Sequence, residues 1–277
     1  MTTVAIIGAA GKMGTRISNR LGEDPGSRLL YVEGTDAGLA RLRERGDEPT
    51  QIEEAARAAD VVVAAVPDTL IGEVAHQVVP LMRSGAMFLC LDPAAPYAGE
   101  LPDRADVTYF VTHPSHPPVF NDETTEAARR DYWGGGFAKQ SIVSALVQGP
   151  EEHFAVGERV SAKMFGPILR THRVTLEQMA MLEPALSETV ALTCITMMRE
   201  AMDEAIRRGV PAEAARDFLL GHINVELAIV FEELDWKVSA GAEKAVSEAR
   251  KALLQPDWLS VFEPEKIRQS VARIVAG

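Results

Sequence analysis

The sequence predicts an α/β chain with a doubly wound, parallel sheet in its N-terminal part and an all-helical C-terminal part. Three observations carry this. Short apolar runs alternate with stretches of helical spacing over residues 1–172. One run, VVVAAVP at 61–67, is apolar throughout, so both its faces must be covered, as in the interior of a parallel sheet. Beyond it, residues 173–277 show long helical patterns and no strong strand signal.

The elements follow in order. VAII at 4–7 reads as a strand, and KMGTRISNRLGED after the glycines is helical, with Met13, Ile17 and Leu21 on one face. RLLYVEG at 28–34 is the second strand, DAGLARLRERG a helix closed by Gly46, and IEEAARAAD another helix before the strand at 61. LIGEVAHQVVPLM is helical, and AMFLCLD at 86–92 and VTYFVTHP at 107–114 are buried strands. QSIVSALVQG at 140–149 is a strand, EEHFAVGERVSAKMFG a helix and ILRTHRV a closing strand. The second domain opens with a helix from about 175 to 208, interrupted only by Pro184 and ended by Gly209, and three more helices follow.

GAAGKMG sets Gly8, Gly11 and Gly14 at GxxGxxG spacing directly after the first strand, one residue looser than the GxGxxG fingerprint. Glycines there let the backbone approach a pyrophosphate, whose charge meets free amides and the positive end of the helix dipole. Gly8, Ala10, Gly11, Lys12 and Met13 are the expected contacts of a Rossmann-type, NAD-binding domain. Glu33 closes the second strand, where a carboxylate accepts from ribose hydroxyls and repels a 2′-phosphate, favouring NAD over NADP; Asp36 is the alternative. Pro67, Asp68 and Asp92 fall at later carboxyl edges, where cofactors lie. Asp68 also suits a helix N-cap, and Asp92 a turn before Pro93.

VTHPSHPPVFND puts His113 and His116 on a proline-rich turn leaving a buried strand. An imidazole there can take the proton of an alcohol whose hydride leaves, and His113 is the candidate. Glu177 and Glu188, eleven apart, share a face of the long helix if it is uniformly α-helical, whereas Glu183 then points away. Glu188, in apolar surroundings, is the expected second catalytic group and, with His113, a candidate ligand for a divalent metal. His222 and Glu226 form an i,i+4 pair that suits either a metal or a salt bridge, and Lys139 could meet a substrate carboxylate.

The 277 residues carry a formal charge of −12, which leaves no broad basic surface and excludes nucleic acid as an expected partner. No apolar run reaches membrane-spanning length and no signal peptide is evident, so a soluble cytoplasmic protein is expected. Cys90 and Cys194 read as small core residues, and Met197, Met198 and Met202 as core or interface filler. The long apolar helix is too hydrophobic for one subunit to cover, which predicts a homodimer.

VAIIGAAGKMG, DVVVAAVPD, a strand leading to THP and a helical C-terminal half together resemble the 6-phosphogluconate dehydrogenase-like superfamily of NAD(P) enzymes. FVTHPSHPPVFNDE, DYWGGGFAKQSIVSALVQGPEEH and LEPALSETVA are similar to the D-apionate oxidoisomerases. That resemblance implies NAD-dependent oxidation of a branched polyhydroxy acid and a skeletal shift to an oxo-isoapionate, similar in logic to ketol-acid reductoisomerases. A divalent ion suits such a shift, with His113 and Glu188 positioning the oxygens. The THP element also resembles prephenate dehydrogenases, but THPSHPP lacks that family's glycine-containing continuation. A Rossmann protein that senses NAD without catalysis is the non-enzymatic alternative.

Overall fold

The computed structural model describes residues 1–276. Its sheet has seven strands: β1 (Thr2–Ile7), β2 (Ser27–Val32), β3 (Val61–Ala64), β4 (Met87–Cys90), β5 (Thr108–Pro114), β6 (Gln140–Gln148) and β7 (Ile168–Arg173), in the order β2-β1-β3-β4-β5-β6-β7. The doubly wound, parallel sheet expected from the sequence is present, with one exception: β5 pairs with β6 antiparallel. The reason lies in the connection. The chain from β5 to β6 carries only a four-residue helix, so no covering crossover returns it to the far end of the sheet.

Period-2 alternation sends neighbouring residues of each strand to opposite faces, and both faces are covered. Val4 and Ile6 of β1 join one core cluster with Ile17 and Leu21 of α1 (Lys12–Gly22) and Leu42 of α2 (Asp36–Glu44). Ala5 and Ile7 join the other, against α3 (Ile52–Ala58) and α4 (Asp68–Val78). Between β4 and β5 lies α5 (Ala94–Ala98), α6 (Glu126–Arg129) precedes β6, and α7 (His153–Phe165) packs on α1. The strand order reverses at β1 and β3, and the loops that leave their carboxyl ends lie side by side: Ala65 N–H donates to the Ile7 carbonyl at 2.8 Å. Such a switch point is where doubly wound folds bind ligands.

The chain forms two compact units, Met1–Pro184 with the segment from Ile267 onward, and Ala185–Lys266. The division thus falls at Pro184 rather than at residue 172. α8 (Leu176–Ala180) stays with the sheet because Met179 is fully buried in its core, and Val275 of α12 (Pro264–Ala276) packs against the same cluster. The second unit contains α9 (Thr193–Arg207), α10 (Ala212–Val230) and α11 (Ala240–Leu253).

The long helix expected from 175 to 208 is not uniform. Between α8 and α9, Met181–Leu192 winds as a π-helix with Pro184 inside it. Proline lacks an N–H and its ring collides with the carbonyl of residue i−4, here Ala180, so α-helical winding cannot run through this point undisturbed. Cys90 is buried as expected, but Cys194 is exposed on α9, a helix with no buried residue. No described helix is long and apolar enough to cross a membrane.

Candidate active site

The glycine turn between β1 and α1 takes its shape from two backbone approaches. Gly8 has φ +81°, and a Cβ there would overlap the Ala65 carbonyl oxygen. A Cβ on Gly14 would overlap the carbonyl of Gly8. Gly11 is the N-cap of α1, and no side chain caps that end, so the first turn's positive pole faces outward. Arg41 donates to the Ala10 carbonyl and Arg45 to that of Ala9, bracing the turn from α2. This is a cradle that fits a pyrophosphate. Lys12 lines the cavity of about 960 Å³ that opens beside it.

Glu33 follows β2 as expected, and one of its carboxylate oxygens accepts from the Ala10 amide at 2.5 Å. The carboxylate that closes the second strand is thereby tethered to the glycine turn. Asp36 is instead the first residue of α2.

A second group assembles at the carboxyl ends of β4 and β5. Their parallel register pairs Cys90 with Val111, and continuing it by two residues brings Asp92 beside His113. Asp92, His113 and Glu183 each offer a ligand atom, and the three atoms lie within 4.8 Å of one another. His113 Nδ1 is 2.8 Å from the Leu91 carbonyl, which can only accept, so Nδ1 carries the proton and Nε2 presents its lone pair to the cluster. Nε2 stands 3.6 Å from a Glu183 carboxylate oxygen.

Electrostatics mark the same place. Burial, then the charge of Asp68, raises the Asp92 carboxyl to about 7, although the Ala94 N–H that donates to it at 2.7 Å acts the other way. Asp68 is also raised, chiefly by burial, with Glu183 adding to the effect and His113 opposing it. Carboxylates are gathered here with little positive charge to offset them. Two carboxylates and an oriented imidazole nitrogen are the donor chemistry of a divalent cation, and the residues fit one.

Asp92 bonds its own turn as expected, whereas Asp68 is not the N-cap expected of it: Pro67 holds that position, Asp68 is the first residue of α4, and no side chain caps that end. Glu188 is not in the cluster. It is exposed on the π-helical segment, and the acid that stands beside Asp92 and His113 is Glu183. A helical wheel presumes uniform α winding, which Pro184 breaks. An acid immediately before a helix-distorting proline is the signal that points to Glu183.

His116, at φ +58°, holds the Trp133 carbonyl with Nδ1 at 2.9 Å, its ring 6.4 Å from that of His113. Burial lowers its pKa. Lys139 is exposed, with its amide on Glu123. His222 bonds the Phe218 carbonyl one turn back and stacks on the Phe218 ring, so the expected His222–Glu226 bridge does not form through Nδ1. Glu177 sits in the first turn of α8, and its pKa is lowered by local hydrogen bonding.

A Rossmann-type coenzyme cradle beside a carboxylate–histidine cluster defines an NAD-dependent oxidoreductase, of the class whose second half is helical. Residues 121–275 match the phosphogluconate dehydrogenase (decarboxylating) C-terminal family model, and residues 1–117 match the NADPH-binding domain of acetohydroxy acid isomeroreductase. The chain is 52% identical to the D-apionate oxidoisomerase of Cupriavidus necator over 98% of each chain. It is also 52% identical to that of Rhizobium rhizogenes, over 99% of this chain and 100% of the other. It therefore belongs to the D-apionate oxidoisomerase family. A solved structure of a semialdehyde dehydrogenase NAD-binding protein from Cupriavidus necator, in complex with calcium and NAD, superimposes with a TM-score of 0.96 at 52% identity over 99% of both chains.

Proposed function

We propose that this chain oxidises D-apionate with NAD and couples the oxidation to a 1,2-shift that yields 3-oxo-isoapionate. The observation that carries this reading is the Asp92–His113–Glu183 cluster at the carboxyl edge of a coenzyme-binding sheet. Gly8, Ala10, Gly11, Lys12 and Met13 would hold the coenzyme pyrophosphate and Glu33 its adenosine ribose, while Pro67, Asp68 and Asp92 lie at the edge that receives the nicotinamide. The chemistry NAD supplies when bound is acceptance of a hydride. Asp92, His113 and Glu183 would hold a divalent ion, whose contribution is to polarise the two neighbouring substrate oxygens.

His113 cannot be ligand and base at once, because an Nε2 lone pair directed at a cation is not available to a proton. The alcohol proton therefore falls to Asp68, whose charge acts on Asp92 and His113 from the same edge. The related Cupriavidus protein forms a complex with calcium as well as NAD, which supports a divalent site. The partner is a small sugar acid, and the active unit is a homodimer. Supporting the dimer, Leu192, Ile195, Met197, Met198, Phe218 and Val246 are all exposed on the helices of the second unit or where they begin.

The test is purified protein with NAD and D-apionate, followed by NADH absorbance and by the skeleton of the product, with and without a chelator. Turnover that needs a divalent ion and yields a rearranged skeleton is expected. NAD binding without turnover of any sugar acid would refute the reading and leave a sensor.

A further inference from the structure

Arg16 is the most unusual charge in the molecule. It lies on α1 and is only 7% exposed, yet none of its three guanidinium nitrogens has a hydrogen-bond partner among the described residues. Burial lowers its pKa to about 10, which still leaves it protonated at neutral pH. A fixed, desolvated cation with no counter-charge hydrogen-bonded to it is unfavourable and calls for an explanation.

Its surroundings supply one. Arg16 lies one helical turn after Lys12, and side chains lean toward the N-terminus of their helix, so its guanidinium sits near the positive end of α1. Trp133 and Phe165 cover it, with ring centroids 5.6 and 5.4 Å from Cζ. Gly135, at φ +84°, passes so close that a Cβ there would overlap Nε. The acid nearest in charge, Asp131, is committed elsewhere: its carboxylate accepts from the amides of Gly134, Gly136, Phe137 and Ala138. Asp131 thus ties residues 131–138 into a strap, and His116 holds the Trp133 carbonyl from the other side.

Arg16, the strap glycines and the glycine turn at Ala10–Lys12 all line the cavity of about 960 Å³. Asp92, His113 and Glu183 do not. The missing anion is therefore on the coenzyme's side of the fold and not where a substrate carboxylate would meet the cluster.

We propose that Arg16 is a ligand of the dinucleotide pyrophosphate, held under the Trp133–Gly136 strap until coenzyme binding turns the strap aside. A guanidinium offers forked donors that match phosphate oxygens, and Arg16 would close on them opposite the α1 amides. The inference rests on the NAD reading above.

The test titrates wild type, R16K and R16M with NAD, ADP-ribose and adenosine by calorimetry. NAD and ADP-ribose are expected to bind R16M at least about tenfold more weakly, with adenosine unchanged and R16K between the two. Without coenzyme, R16M should melt at or above the wild-type temperature, because relieving a desolvated charge that no hydrogen bond compensates outweighs the cation–π contacts with Trp133 and Phe165 that are lost with it. A lower melting temperature would count against that description. Trp133 emission, read in a W236F/W258F background, should shift on ADP-ribose but not on adenosine, and an unmoved signal rejects the strap's displacement. Wild-type NAD affinity in R16M refutes the role of Arg16 while leaving the coenzyme reading intact, and so does a rise confined to the KM of the sugar acid. If wild type itself binds neither NAD nor ADP-ribose, the coenzyme reading fails first.

Discussion

Substituting Gly8 by alanine tests the coenzyme cradle most directly. At φ +81° an L-residue costs about 1–2 kcal/mol. The added Cβ would also overlap the Ala65 carbonyl oxygen and stand 3.2 Å from Cγ1 of Val66. That carbonyl follows β3, and the Ala65 amide is bonded to Ile7 at 2.8 Å, so it cannot retreat without disturbing the β1–β3 pairing. Overpacking of this kind costs roughly 1–3 kcal/mol. Together G8A should lose about 2–5 kcal/mol, a fall in Tm of roughly 4–20 °C for a chain of this size. The displaced turn should also weaken NAD binding at least about tenfold. G14A should behave similarly, because its Cβ would meet the backbone of Gly8 and Ala9. G22A is the control: nothing lies within 4 Å of its Cβ, and alanine there should stabilise α1 by about 0.5–1 kcal/mol. Calorimetric melts and coenzyme titrations of the three variants check this. If G8A melts and binds as wild type does, the close approach of Ala65 does not shape the turn.

Three further outcomes are expected. E183Q and H113A should each weaken divalent-ion binding at least about tenfold and lower turnover, with E188Q having the smaller effect; direct ion titration decides, and an equal loss in E188Q would restore it to the ligand set. Asp24, held to about 2 chiefly by the hydrogen bond from Lys163 at 2.5 Å and then by Ser27, has its folded pKa depressed, so its contribution is complete above the ordinary value of 3.8 and is lost as pH falls toward 2. D24N should therefore melt with a shallower acid dependence in that window, and identical acid profiles would contradict it. Light scattering should report a dimer, and I195D with M198D should reduce it; a wild-type monomer would leave the exposed α9 face unexplained.

Much of this molecule is legible in its sequence. The glycine turn, the acid closing the second strand and the uniformly apolar runs announce a coenzyme sheet, because each depends on local geometry: a backbone approach, a strand end, two covered faces. His113 and Asp92 are also readable, since strands end where their apolar runs end and doubly wound folds expose those ends to ligand. What lies beyond reach depends on where distant segments meet. Glu183 joins Asp92 and His113 because helical winding changes around Pro184, and no helical wheel drawn on a uniform pitch can foresee that. In the sequence Arg16 is indistinguishable from an ordinary surface arginine; only the return of the Trp133–Gly136 loop buries it without a partner. Local spacing determines which elements form, while the pairing of charges across space follows from tertiary packing, since electrostatic partners are chosen by distance in the fold and not by distance along the chain.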